Sequence, residues 1–421
     1  MRILLISRCP PWPLHLGDRL IVYHLARELA ARGHMLDLLA FTDKFEDIAD
    51  RAHYADYFRH IELFPEPPRS QISYFWRMMN PRARFPHQAR AAWSPEMWQA
   101  IERQIAAARY DVAHLFGGVQ VYEYAHAVAP LPALITPYES YSLYLRRMLS
   151  PPPPSPPLRT NEVRQGEGTG VRALRGRVSL LAARAYERFM FTPYRRTVVV
   201  SEADRDELRA LNPALNIEVI PNGVDLRYFT PDNKEARETY TLLFTGNYEY
   251  APNVDAALRL VHEVLPAVRA HIPAARLRLV GNAPPPELQA LASDVITVTG
   301  RVPDVRPYLA RASVFVSALR FGAGIKNKVL EALAMGCPVV ATPLSADGIA
   351  ARDGHEIIIA GLDALPEAVV RLLNDPPLRE ALSANGRALI ESRYSWGRVA
   401  EMYETLYEET KVDSSQSTVD S

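Results

Sequence analysis

Between Arg320 and Thr342 the chain reads RFGAGIKNKVLEALAMGCPVVAT. Gly322 and Gly324 precede a segment whose pattern predicts a helix opening near Lys326 and ending at Gly336. A loop of this kind presents backbone N–H groups and a helix N-terminus to an anion, so the chemistry it suggests is phosphate binding. Lys326 stands at that N-terminus, where a cation opposes the helix dipole unless an anion lies beside it, and it is the first candidate for the phosphate contact. Lys328 and Arg320 are second candidates for the same duty. In the expected helix Glu331 shares a face with Lys328 and Met335, while Leu330, Leu333 and Ala334 form the packed stripe. The plainer reading of the same residues is a solvated glutamate and a surface lysine at a helix entry.

Composition narrows the classes of function. Lys+Arg and Asp+Glu are 48 each in 421 residues, so no global charge draws the chain to nucleic acid or to an anionic membrane, and any basic site is local. Two cysteines, Cys9 and Cys337, exclude a disulfide framework and a cysteine-rich zinc site, and predict a reducing, cytoplasmic compartment. The opening MRILLISRCPPWP breaks at a Pro-Pro-Trp-Pro turn, too short for the apolar core of a signal peptide. No run of about 18 apolar residues is long enough to span a membrane. Arg177, Arg184 and Arg188 share a face of a helix expected over 171–191, followed by Arg195 and Arg196; peripheral contact with a membrane surface is one reading and a solvated face the other.

These residues need elements to hold them. ILLIS, an amphipathic stretch from about Arg19 to Arg32 stopped by Gly33, and MLDLLAF make a βαβ unit, and VAHLF and PALIT continue the rhythm. SPPPPSPPLRTNEVRQGEGTG, at 150–170, has no apolar periodicity and reads as an exposed Pro/Gly-rich loop. TVVVS at 197–201 then opens a second series: IEVI, TLLFTG, RLRLVG, VITVTG, VFVSA, PVVAT and EIII. The expectation is an α/β chain with two Rossmann-like doubly wound domains, 1–196 and 197–391, facing a cleft between them. A helix over 392–410 crosses back onto the first domain, and 411–421 is a polar tail without packing partners. Neither domain carries G-x-G-x-x-G after its first strand or G-x-x-x-x-G-K-[ST], so hydride transfer on a dinucleotide and P-loop hydrolysis lose their main support.

Together with LARELAARGHMLDLLAF (25–41), VVVSEADRDEL (198–208), VIPNGVDLRYFTP (219–231), LLFTGNYEYAPNVDA (242–256) and GRVPDVRPYLARASVFVSALRFGAG (300–324), the glycine loop and its helix resemble the glycosyltransferase family 4 enzymes of GT-B fold over most of the chain. The resemblance implies transfer of a sugar from a nucleotide-sugar donor to a hydroxyl acceptor, be it a glycan, a lipid-linked acceptor or a small molecule, with retention of configuration. No metal and no nucleic acid are implied; contact with the inner face of a membrane would suit a lipid-linked acceptor. It places Glu331 against the ribose hydroxyls of the donor and lets Gly324 and Ile325 offer N–H groups to the donor. Gly17, Gly246, Arg301 and Leu330 join the donor-binding residues, with Gly17 letting the loop that carries Asp18 and Arg19 approach the phosphates. His114 falls near the family's N-domain histidine and is a candidate catalytic or acceptor-site residue, against a core histidine; Glu139 is a candidate for acceptor hydroxyls.

The departures are specific. The family's first glutamate, eight positions before the second, is Ala323 here. Its Arg and Lys after the first strand of the second domain are replaced by Gly246, Asn247, Tyr248 and Glu249. Lys326 is therefore expected to compensate the diphosphate. A non-catalytic sugar-nucleotide or glycan-binding protein on the same scaffold is the rival reading, and an epimerase or phosphorylase a third.

Overall fold

The structure, a computed structural model, describes residues 1–14, 17–42, 46–149, 169–231 and 236–417. The Pro/Gly-rich stretch expected as a loop over 151–170 lies almost wholly outside the described residues; only its end is seen, as the start of a helix Thr169–Met190. The chain forms two compact units. The first comprises Met1–Leu145, Leu174–Gly223 and the stretch from Trp396; the second comprises Arg146–Ala173 and Val224–Ser395.

The first unit holds seven parallel strands: β1 (Arg2–Ser7), β2 (Met35–Thr42), β3 (His60–Pro65), β4 (Val112–Phe116), β5 (Ala133–Tyr138), β6 (Arg196–Val199) and β7 (Ile217–Val219). They lie in the order β3-β2-β1-β4-β5-β6-β7. Ile3 to Ile6 and the whole of β4 are buried, which is why these strands read as unbroken apolar runs rather than as alternation: helices cover both faces of the sheet. The helix Gly17–Ala31 forms the first crossover and ends before Gly33, which takes φ 86.

β6 and β7 correct the sequence reading. TVVVS and IEVI were expected in the second domain, yet Thr197 pairs with Ile135 and with Ile217, so both strands extend the first sheet. A buried parallel strand carries no mark of which sheet it joins; that is decided by the long-range pairing.

The second unit holds β8 (Thr241–Thr245), β9 (Arg276–Val280), β10 (Ile296–Val298), β11 (Val314–Ser317), β12 (Val339–Ala341) and β13 (Ile358–Ile359), all parallel, in the order β10-β9-β8-β11-β12-β13. Two sheets of doubly wound type are thus present, one per unit.

The C-terminal helix, Trp396–Ser417, belongs to the first unit and outruns its expected end by seven residues, so the stretch from Lys411 to Ser417 is helical and not a free tail. Its side chains explain the anchoring. Glu404 accepts from Arg32 at 2.8 Å and meets His34 Nε2 at 2.6 Å, and Trp396 stacks on His24 with ring centres 5.1 Å apart. Lys411 pairs with Asp111, the residue before β4.

Candidate functional site

The glycine loop and its helix form as the sequence indicates, with the helix spanning Asn327–Ala334 and Lys326 as its N-cap. Val329, Leu330, Ala332, Leu333 and Ala334 are buried. This packing is close: a Cβ on Gly386 would come within 2.7 Å of Leu333, so the helix Pro376–Arg393 touches the apolar stripe directly at that glycine. The far end is tied as well. Arg387 donates to the carbonyl of Ala334 at 2.5 Å, and Arg237 to that of Gly336 at 2.5 Å, satisfying carbonyls that a helix end leaves without partners. Leu330 is thereby a core residue, and its side chain is not available to a donor.

What the helix leaves on its other face is the pair Lys328 and Glu331, three positions apart and half-buried. The Lys328 ammonium donates to Asn253 Oδ1 and lies 4.6 Å from the centre of the Phe244 ring. Burial and the neighbouring Lys326 pull its pKa down to about 7, against the pull of Glu331. Burial pushes the Glu331 carboxyl up to about 7 against the attraction of Lys328. Both charged forms are thus poorly solvated, the condition in which an incoming partner of opposite charge or a hydrogen-bond donor gains most. Among the described residues the Glu331 carboxylate receives no hydrogen bond, and neither do the N–H groups of Gly324 and Ile325 find an acceptor.

Facing Lys328 are the loops at the carboxyl ends of β8 and β9. A Cβ on Gly246 would sit 3.1 Å from the Lys328 ammonium and 3.0 Å from the Asn253 amide. Gly281, at φ 153, is pressed so close to Gly246 that a Cβ there would fall 1.8 Å from the Gly246 carbonyl oxygen. No side chain fits at that position. Gly281 in turn donates to the carbonyl of Gly300 at 3.2 Å, which brings in the end of β10 and, next in sequence, the exposed Arg301. The second sheet therefore gathers Gly246, Asn253, Gly281, Lys328 and Glu331 at its carboxyl edge, the position where open α/β sheets bind ligands.

Lys326 is a different residue from the one expected. It is buried, and its ammonium turns back onto the carbonyls of Ala323, at 2.9 Å, and Gly324, closing the loop that precedes the helix. The lysine that faces the glycine loops is Lys328, two residues on from the helix N-terminus. Arg320 is likewise occupied, held by Asp255 at 2.6 Å. Asn253 and Gly281 were not singled out; a glycine ending RLRLVG, as Gly246 ends TLLFTG, was the available signal for Gly281.

In the first unit His114 is fully buried. Its Nδ1 lies 2.7 Å from the Tyr407 hydroxyl and its Nε2 2.7 Å from the Thr136 hydroxyl, and burial pulls its pKa down to about 3. Both ring nitrogens are engaged, so His114 ties the C-terminal helix to β4. Arg19 is also structural, buried in an ion pair with Asp47 at 2.6 Å. Gly17 opens its helix next to residues 15–16, which lie outside the described residues. Asp18 pairs with Arg8 at 3.3 Å. Arg8, just beyond β1, was overlooked although it is the first charged side chain after the first strand. Glu139 follows Tyr138, which ends β5 at φ 71, in the left-handed region. Among the described residues no group of three or more His, Cys, Asp or Glu side chains is placed to hold a metal.

The comparisons with known proteins agree with this architecture. A model described as Glycosyltransferase Family 4 matches residues 20–228, and one described as Glycosyl transferases group 1 matches residues 239–375. The sucrose-phosphate synthase from Thermosynechococcus elongatus superposes with a TM-score of 0.69 at 19% identity, over 97% of this chain and 98% of that one. The fold is therefore GT-B, two Rossmann-like units each built on a parallel sheet. The chain belongs to glycosyltransferase family 4. Among curated proteins, a GDP-mannose-dependent monoacylated alpha-(1-6)-phosphatidylinositol monomannoside mannosyltransferase of Corynebacterium glutamicum is 31% identical over 201 residues, 42% of this chain and 52% of that protein. A D-inositol 3-phosphate glycosyltransferase of Actinosynnema mirum is 32% identical over 250 residues, 50% of this chain and 58% of that protein. The matched stretches span little more than half the length of these relatives.

Proposed function

We propose that the chain transfers a hexose from a nucleotide-sugar donor to a hydroxyl acceptor. The observation that carries the reading is the pair of desolvated charges, Lys328 and Glu331, facing the glycine loops of the second sheet. Lys328 meets the diphosphate, with the N–H groups of Gly324 and Ile325 as further donors; Glu331 accepts hydrogen bonds from the ribose hydroxyls. In the transfer the acceptor oxygen bonds to the anomeric carbon as the bond from that carbon to the diphosphate breaks. The leaving group takes the electron pair, and the acceptor proton passes to one of its phosphate oxygens. A fixed cation beside that group stabilises the charge as it develops, and no resident metal is called for.

The relatives suggest the finer identity: a GDP-mannose donor and an acceptor of the phosphatidylinositol or inositol phosphate kind. Retention of configuration follows from the family alone. The second reading, binding without turnover, draws on Ala323, which is buried where the family carries a glutamate side chain for the donor sugar. Acceptor-dependent release of nucleoside diphosphate separates the two. UDP-, GDP- and ADP-sugars are incubated with inositol phosphate or with phosphatidylinositol vesicles; release that needs an acceptor supports transfer, and binding of a donor without release supports the rival.

A further inference from the structure

A segment of the first unit remote from the glycine loops is apolar on two opposite faces. In the helix Gln71–Met79, Tyr74 and Met78 point into the core, and Tyr74 meets the rings of Tyr122 and Tyr186 edge-on. On the outer side Phe75, Trp76 and Met79 are 39%, 68% and 44% exposed. Spacings of three and four residues put Met79 over Trp76 and Phe75, so the three make one strip. A helix apolar all round is normally covered on all sides, and an outward strip of large apolar side chains marks a contact surface.

The charge around the strip says what covers it. From residue 67 to residue 95 the chain has five arginines and no Asp or Glu, in a protein of zero formal charge. Arg69 and Arg77 are neutralised by Glu66, at 3.0 Å, and Glu123, at 2.9 Å. Arg84 lies 4.0 Å over the Phe189 ring. Arg82 and Arg90 are exposed and have no ion pair among the described residues. Arg82 also lines a cavity of about 380 Å³, with Arg77, Pro86, His87, Gln88 and Trp93. Among the described residues the buried Trp93 indole N–H has no acceptor. Large exposed apolar side chains for an acyl boundary and, within eleven residues in sequence, two exposed arginines in a segment without Asp or Glu are complementary to an anionic lipid surface. A nucleic acid or an acidic protein would use the arginines but would leave Met79 and Phe75 without an apolar partner.

We propose that the segment from Gln71 to Arg90 is a membrane-docking surface, in which Phe75, Trp76 and Met79 enter the headgroup region of an anionic bilayer and Arg82 and Arg90 contact lipid phosphates. This goes beyond the transfer reading and moves the membrane contact away from the arginines of the Thr169–Met190 helix.

The test is flotation of the full chain with vesicles of phosphatidylcholine alone or with roughly 30% phosphatidylglycerol, with no donor present, so that its failure and a failure of sugar transfer are read separately. Binding to the anionic vesicles is expected, with a blue shift of tryptophan emission that is lost in Trp76→Phe. F75S/W76S/M79S and R82E/R90E are each expected to cut the bound fraction by roughly tenfold while melting at the wild-type temperature, because all five side chains are exposed. R177E/R188E is expected to bind like wild type. Absence of vesicle binding, binding undiminished in both the apolar and the arginine variants, or loss confined to R177E/R188E would overturn the proposal. So would binding to heparin or RNA with none to vesicles.

Discussion

Lys328→Met separates binding from stability. The ammonium of Lys328 is held between the helix Asn327–Ala334 and the Gly246 loop, and burial brings its pKa from 10.5 to about 7. At about 1.36 kcal/mol for each pH unit, that fall corresponds to an upper figure of about 5 kcal/mol by which the charged form is disfavoured in the folded chain. The pKa is depressed on folding, so this cost is fully present below pH 7. It fades as pH rises from 7 toward 10.5 and is absent above that, where the lysine is neutral folded or unfolded. Methionine keeps the stem and removes the charge. It also removes the bond to Asn253, whose oxygen is then short of a donor, so we expect a net gain of about 1–3 kcal/mol at pH 6.5 and a melting temperature higher by several degrees. Donor binding should move the other way, with kcat/KM lower by roughly 10²-fold, about 2.7 kcal/mol, for want of the cation on the diphosphate. Differential scanning fluorimetry at pH 6.5 and 9.5, with and without nucleoside diphosphate, reads stability and nucleotide binding, and initial rates of acceptor-dependent diphosphate release read kcat/KM. A variant that melts lower than wild type and still gains stability from the nucleotide would refute the reasoning.

Glu331→Gln should weaken nucleoside diphosphate binding by about tenfold and flatten the acid side of its pH profile, because ribose hydroxyls favour the ionised carboxyl and affinity in the wild type climbs as pH rises toward 7. Lys326→Ala should leave donor affinity within about threefold of wild type yet lower the melting temperature, since its ammonium closes a loop rather than facing the donor. His114→Ala should cost about 2–4 kcal/mol by orphaning the hydroxyls of Tyr407 and Thr136, with turnover per folded molecule unchanged. Wild-type stability should also fall as pH drops from 6.5 toward 3, because only the unfolded chain lets His114 take its proton readily; acid titration of the melting temperature, steeper in wild type than in His114→Gln, checks it. Turnover should survive EDTA, and activity abolished by the chelator and restored by Mg²⁺ or Mn²⁺ would contradict a lysine-based diphosphate site.

The two-unit α/β architecture was legible because parallel strands covered on both faces leave runs such as ILLIS and TLLFT that no other element explains. The glycine loop and its helix were legible for the same reason that Gly336 was: each marks a backbone turn. What failed was everything decided by long-range pairing or by side-chain direction. TVVVS and IEVI joined the first sheet through partners more than sixty residues away in the case of Ile135 and Thr197. Lys326 and Lys328 differ by two positions, about 200° around a helix, so only one of them can face the loops, and the choice rests on side-chain direction that the sequence does not carry. The polar composition from Lys411 onward hid a continuation of the helix whose first residue is held by the Lys411–Asp111 pair. His114 looks the same in sequence whether its ring meets substrate or Tyr407, which lies 293 residues on.

The central claim is that the nucleotide half of the donor is held by Lys328 and Glu331. Calorimetric titration of UDP, GDP and ADP into the wild type, Lys328→Met and Glu331→Gln at pH 7 tests it most directly. One of the three nucleotides should bind the wild type with unit stoichiometry, and each variant should lose roughly tenfold or more in affinity. Equal affinity in all three proteins, or no binding of any nucleoside diphosphate, would contradict the account.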